Sequence, residues 1–175
     1  MSNHVFIAAS IDGYIARADG SIDWLTGLDN PDDSDYGYGG FIAMIDAIVM
    51  GRNTFEFARS IEPWPYDRPV FVLSSTLDPH RDKSGTFEVV RLQPADLVAE
   101  LKSRGFNNLY IDGGKTIQGF LAEDLIDEMT ITRVPIVLGS GIPLFDASCG
   151  ELKFRHIGTT AYPNGLVTST YRRSR

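Results

Sequence analysis

Cysteine occurs once in these 175 residues, as Cys149, so no internal disulfide can form and a reducing compartment is expected. Histidine is scarce too. His4, His80 and His156 are far apart in the chain and none neighbours the cysteine, so no metal site is expected. Positive charge is thin: the formal net charge is −7, and no basic cluster exceeds Arg172-Arg173-Ser174-Arg175. That argues against a nucleic-acid partner and leaves the basic tail a solubilising role. No apolar run approaches the length that spans a bilayer, and Met1-Ser2-Asn3-His4 lacks the basic start of a secretion signal. A cytoplasmic protein with a small-molecule partner, and neither nucleic acid nor membrane, is expected. What is present is ordinary for a soluble globular chain: 43% hydrophobic and 22% charged residues, in a length that suits one domain over residues 1–175.

Continuous apolar runs at residues 5–9, 47–50 and 70–73 read as strands buried on both faces, the pattern of parallel strands covered by helices, and residues 108–111 read as another strand. Helical spacing follows or precedes them at residues 36–45, 53–60, 94–104 and 116–123. Residues 16–35 are acidic and turn-rich, with Trp24 and Leu25 among few large apolar groups; this reads as a lid over a site or as a surface excursion pinned by Trp24. Pro63 and Pro65 break residues 62–66 into a loop. Beyond Asp127 the pattern is strand without helix, and Pro163-Asn164-Gly165 reads as a hairpin turn. The sum is an α/β domain with a mixed sheet, parallel in the middle and antiparallel at its C-terminal edge.

Three strand ends carry groups that suit anions: Gly51-Arg52-Asn53-Thr54, Ser74-Ser75 and Gly113-Gly114-Lys115-Thr116. Ligands of open α/β sheets bind outside the carboxyl ends of strands, where helix N-termini and glycine-rich corners admit phosphate. A phosphorylated dinucleotide fits two such loci. Taken singly, Arg52 could be merely solvated and Gly113-Gly114 a tight turn.

Ser10-Ile11-Asp12-Gly13-Tyr14-Ile15-Ala16, Met50-Gly51-Arg52-Asn53-Thr54-Phe55-Glu56, Val72-Leu73-Ser74-Ser75, Asp112-Gly113-Gly114-Lys115 and the run from Val137 to Phe145 occur in one order. In these motifs the chain resembles the dihydrofolate reductase-like proteins, most closely the branch containing the reductase domain of bacterial riboflavin biosynthesis. The resemblance implies a three-layer fold with a mostly parallel sheet of about eight strands and an antiparallel C-terminal hairpin. It implies an NADPH-dependent oxidoreductase of dihydrofolate reductase or 5-amino-6-(5-phosphoribosylamino)uracil reductase type, acting on a pterin, a pyrimidine or a related ring, and a homodimer. Gly51, Arg52 and Thr54 would meet cofactor phosphates, Ser74 and Ser75 the adenosine 2′-phosphate, and Asp112, Gly113, Gly114, Lys115 and Thr116 the pyrophosphate. Ala8, Ala9 and Ile15 would line the nicotinamide pocket. The loop over residues 16–35 would correspond to one that closes over nicotinamide.

On the substrate side the resemblance points to Trp24, Phe41 and Arg68 as contacts. Asp35, sixteen residues before Gly51, would be the proton donor, with Asp12 as a second catalytic candidate. Asp35 could equally be one more solvated acid, with Asp32 or Asp33 in its place; Asp12 also suits a plain turn. A second class of function stays open, a protein that keeps the nucleotide cleft without the chemistry.

Overall fold

The computed structural model describes residues 1–30, 32–81 and 85–175; Pro31, inside the acidic 16–35 segment, lies outside them. Among these residues a nine-stranded sheet runs through the molecule. The chain opens with β1 (Ser2–Ser10) and a short β2 (Tyr14–Ala16), then α1 (Asp23–Thr26), α2 (Tyr38–Ala43), β3 (Ala47–Gly51) and α3 (Arg52–Arg59). Next come β4 (Val70–Leu73), a two-residue β5 (His80–Arg81), β6 (Phe87–Val90), α4 (Pro94–Ser103), β7 (Asn108–Asp112) and α5 (Gly114–Ala122). The remainder is β8 (Glu128–Val134), β9 (Ile142–Pro143), a 3-10 turn (Ala147–Cys149), β10 (Phe154–Ala161) and β11 (Val167–Arg173). The sheet order is β10-β11-β8-β1-β7-β3-β4-β6-β5. Six central strands from β8 to β6 are parallel, whereas β11 and β10 are antiparallel, as the sequence pattern predicts.

The organising run of β3 shows why the sheet is a middle layer. Ala47, Ile48, Val49 and Met50 are all fully buried. Ala47 and Val49 pack with Leu97 and Leu101 of α4 and Ile117 and Phe120 of α5. Ile48 and Met50 pack with Phe41 of α2 and Phe55 of α3 on the other face. Alternate side chains of one strand therefore feed two cores, and the unbroken apolar run follows. A third cluster joins Trp24, Val134 and Leu166.

The acidic segment is more ordered than a bare loop. It holds α1, an Arg17–Asp23 ion pair at 2.6 Å, and the buried Trp24 that pins it to β8. The basic C-terminus does more than face water. Arg172 pairs with Glu128, Arg173 with Asp124 and Arg175 with Asp127, which ties β11 and the tail to the start of β8. Beyond Phe154, every residue of edge strand β10 is exposed. No helix among the described residues is long and apolar enough to cross a membrane.

Candidate active site

Strands β1, β7, β3, β4 and β6 run parallel, so their carboxyl ends line one edge in that order. At its middle the β3–α3 and β7–α5 corners interlock. A Cβ on Gly51 would lie 2.9 Å from Thr116 Oγ1, and one on Gly113 would overlap Thr54 Oγ1. Gly113 also takes a φ of 89°, which side chains rarely adopt. Each corner opens into a helix whose first N–H groups have no side-chain cap. Two positive helix ends thus start side by side, a cradle for phosphate oxygens. Ile15 packs against the start of α5, close enough that a Cβ on Gly114 would sit 2.8 Å from its Cδ1. Ala9 is fully buried and Ala8 partly so at the end of neighbouring β1.

One strand further, Arg52 Nη1 donates to Thr76 Oγ1 at 3.2 Å while its Nε donates to Glu56 Oε1 at 2.7 Å. Ser74 Oγ accepts from the N–H groups of Thr76 and Leu77 at 3.2 and 3.0 Å, curling the turn after β4, with Ser75 exposed on it. Arg91, just past β6, donates to the Leu77 carbonyl at 3.2 Å. Two exposed guanidiniums therefore flank one hydroxyl-rich turn. Lys115 is exposed on the first turn of α5.

Asp112 is different in kind. Its Oδ1 accepts the Gly113 N–H at 2.8 Å, and the phenols of Tyr66 and Tyr110 stand beside the same carboxyl. The Tyr110 hydroxyl also reaches the Phe6 carbonyl at 3.0 Å. Burial pushes the Asp112 carboxyl up to about 6, and the Gly113 N–H only partly opposes it. Tyr38 of α2 and Tyr66 are pushed up by burial first and by the Asp112 charge second. The result is a protonatable acid under three phenols, at the same strand end as the phosphate cradle.

The other two acids are occupied. Asp35 Oδ1 and Oδ2 accept the Gly37 and Gly39 N–H groups at 2.8 and 2.9 Å, which holds its carboxyl below the usual range as a cap on α2. Asp12 accepts the Ser10 hydroxyl at 2.6 Å and the N–H groups of Leu138 and Gly139 at 3.1 and 2.7 Å. These bonds, the Ser10 hydroxyl first, hold it low as a brace between two loops. Trp24 and Phe41 are 7% and 6% exposed and belong to the walls of the cores. Phe41 stacks against Phe6 at 4.8 Å and Tyr110 at 5.0 Å. Arg68 stands at the amino end of β4, beside Asp67 at 3.7 Å. It lines an open depression of about 460 Å³ with Arg104 and Phe106, at the far edge of the sheet from Ser74.

The sequence profile of the RibD C-terminal domain matches residues 4–168, nearly the whole chain. The chain belongs to the RibD C-terminal domain family. It is 38% identical over 161 residues to the uncharacterized protein YwjB of Bacillus subtilis (strain 168), covering 90% of each. A crystal structure from Shewanella sp. PV-4, whose provisional name is a riboflavin biosynthesis protein, shares 46% identity over the full length of both chains with a TM-score of 0.93. A Thermotoga maritima protein is named a diaminohydroxyphosphoribosylaminopyrimidine deaminase/5-amino-6-(5-phosphoribosylamino)uracil reductase. It shares the fold at 14% identity and TM-score 0.73, over 99% of this chain and 56% of that one. The dihydrofolate reductase-like fold is therefore that of this RibD C-terminal domain.

Several groups of this RibD C-terminal domain escape a reading of the sequence. Arg91 sits alone after a strand with no glycine or hydroxyl beside it to mark it. For Tyr110 a signal existed, since two residues before Asp112 on a strand means the same face. Tyr66 arrives from a proline-broken loop and Tyr38 from a glycine-weakened helix, so only the fold brings them to Asp112. The contrast between acids gives a stability test. Because folding raises the Asp112 pKa above its ordinary 3.8, the Asp112 contribution to stability should fall as pH rises from about 4 to about 6 and stay lower above that, while buried His4, held below its ordinary value, acts in the opposite direction. Asp112→Asn should remove this fall and raise the urea midpoint at pH 7, while Asp35→Ala should lower it. Matching pH profiles for wild type and Asp112→Asn would refute the assignment.

Proposed function

We propose that this protein is an NADPH-dependent reductase that delivers a hydride to a small heterocycle of pyrimidine or pterin type. One observation carries the reading: a cationic, hydroxyl-rich edge with two uncapped helix starts adjoins a protonatable acid, Asp112, on the same strand end. Membership of the RibD C-terminal domain family and the fold shared with a protein named as a uracil reductase support an oxidoreductase reaction. The cytoplasm, where a lone cysteine stays reduced, is the setting we infer.

The residues fit the cofactor. Arg52, Arg91, Ser74, Ser75 and Thr76 would hold the adenosine 2′-phosphate, and Thr54, Lys115, Thr116 and the N–H groups opening α3 and α5 the pyrophosphate. Ala8, Ala9 and Ile15 would line the nicotinamide pocket. When bound, NADPH supplies the hydride. The chain supplies the proton that reduction of a C=N bond requires at nitrogen. With a pKa of about 6, Asp112 is protonated in about one molecule in ten at pH 7, and the Gly113 N–H holds its carboxyl in place. Asp35 and Asp12, ionised and saturated with N–H and O–H donors, are poor proton donors, so we assign the step to Asp112.

NADPH should bind about ten- to a hundredfold more tightly than NADH, the usual worth of charge-assisted contacts. Arg52→Ala and Arg91→Ala should each narrow that gap in a fluorescence titration; equal affinities in wild type would exclude the 2′-phosphate site. Asp112→Asn should lower turnover by about 10²–10⁴-fold with NADPH affinity unchanged, while Asp35→Asn stays active. The wild-type rate should decline as pH rises through about 6. An active Asp112→Asn would remove it from the reaction.

We also propose a homodimer, on the exposure of the whole of edge strand β10 after Phe154, an unpaired template for a second copy. Sedimentation should return twice the 19.3 kDa of one chain; a monomer mass at micromolar concentration would refute it.

A further inference from the structure

Beside the nine-stranded sheet lies a smaller one, in which β2 pairs antiparallel with β9 through Tyr14 with Pro143 and Ala16 with Ile142. An isolated pair of strands this short has little stability of its own. What fixes it is α5. A Cβ on Gly114, the first residue of that helix, would meet Ile15 Cδ1 at 2.8 Å, Ile142 Cγ2 at 3.4 Å and the Pro143 carbonyl oxygen at 3.5 Å. One turn further along α5, Gln118 lies on the same side as Gly114. It is 7% exposed, and its Nε2 donates to the Pro143 carbonyl at 2.9 Å and to that of Leu144 at 3.5 Å. Leu144 in turn donates its N–H to the Gly13 carbonyl at 2.9 Å, which leads back to the start of β2.

The partner atoms define what this side chain must be. Two carbonyls face one buried group, so a donor is satisfied there and an acceptor is repelled. The amide donates without carrying a charge into the interior. Ile117, Phe120 and Leu121 of the same helix are apolar and buried, so only its partners account for a polar group among them.

The link matters because of what stands at its two ends. α5 opens with N–H groups of the phosphate cradle, and β2 carries Ile15 of the nicotinamide wall. A dinucleotide is one covalent frame, so its ring is placed by the distance from the groups that hold its pyrophosphate to the wall that stops the ring. Reacting atoms must approach to about 3–3.5 Å, and a small slip of the wall misplaces them. We infer that Gln118 is a positioning residue that keys the nicotinamide wall on β2 to the pyrophosphate cradle on α5 through the Pro143 carbonyl. The inference rests on the reductase reading above and adds to it the residue that sets the place of the ring.

The test compares two ligands on the full chain by calorimetry: NADPH, and 2′-phosphoadenosine diphosphate ribose, which lacks only the nicotinamide. Wild-type protein should bind NADPH the more tightly. Gln118→Met, similar in volume but without a donor, should cut that preference about fivefold, the worth of one hydrogen bond, and leave the affinity for the fragment unchanged. Gln118→Glu is closer in shape, yet it should cut the preference further at pH 8, because its oxygens face the two carbonyls. Equal weakening of both ligands would overturn the inference, since the residue would then serve the fold alone; a variant that does not fold gives this result. An unchanged preference would overturn it as well. So would a greater loss in Gln118→Met than in Gln118→Glu, the order expected if volume decides. Wild-type protein that binds neither ligand refutes the reductase reading itself. Wild-type protein that binds both equally keeps the phosphate cradle and removes only the wall at Ile15.

Discussion

The structure turns on the closeness of two strand–helix corners. β3 and β7 are neighbours, and their exits meet at Gly51 against Thr116 and Gly113 against Thr54, with no room for a side chain at either glycine. The helices that follow leave on opposite faces. α3 packs Phe55 with α2 and its core, whereas α5 packs Ile117 and Phe120 with α4. Their N-termini nonetheless begin side by side at the sheet edge, which concentrates two partial positive charges where neither helix alone would make a strong site. Any side chain at Gly113 would drive the corners apart. It would displace the Gly113 N–H that holds Asp112, so the phosphate cradle and the acid would be lost together.

On that shared edge Asp112 lies one strand from Arg52, and direction decides its protonation. A guanidinium facing Asp112 would stabilise its charge and pull its pKa below the ordinary value. Arg52 instead leans along the edge toward β4, held by Glu56 on its own helix and by Thr76. Arg91 is three strands from Asp112, about 14 Å at the usual strand spacing and beyond the screening length at physiological salt. Burial therefore dominates at Asp112, and the edge divides into a cationic part and an acidic part.

The architecture was largely legible because its signals are local. Unbroken apolar runs marked the central strands, and the loss of helical spacing after Asp127 marked the antiparallel end. The two-residue pairings of β2 with β9 and of β5 with β6 were not, since strands so short carry no period. The glycine corners and the serine turn were visible as motifs. The proton donor we propose differs from the one that spacing suggests, for a physical reason. Spacing from Gly51 pointed to Asp35, but proton affinity depends on desolvation, and desolvation comes from residues distant in sequence. Asp112 reads in the chain as part of a turn; only the fold buries it and brings Tyr66, from the loop before β4, beside it.

The three tyrosines also explain how a polar pocket can be rigid. The rings of Tyr38, Tyr66 and Tyr110 belong to the core that contains Phe41, Phe55 and Met50. Tyr66 meets Trp64 edge-on at 5.5 Å, and Phe41 meets Tyr110 edge-on at 5.0 Å. Each phenol thus contributes its apolar body to packing and its hydroxyl to the site, the division that makes tyrosine useful at such boundaries. Because the ring positions are set by the core, the hydroxyls need no separate scaffold, and the Asp112 carboxyl is oriented without a cation. The same arrangement leaves Asp112 short of solvent, which destabilises its ionised form.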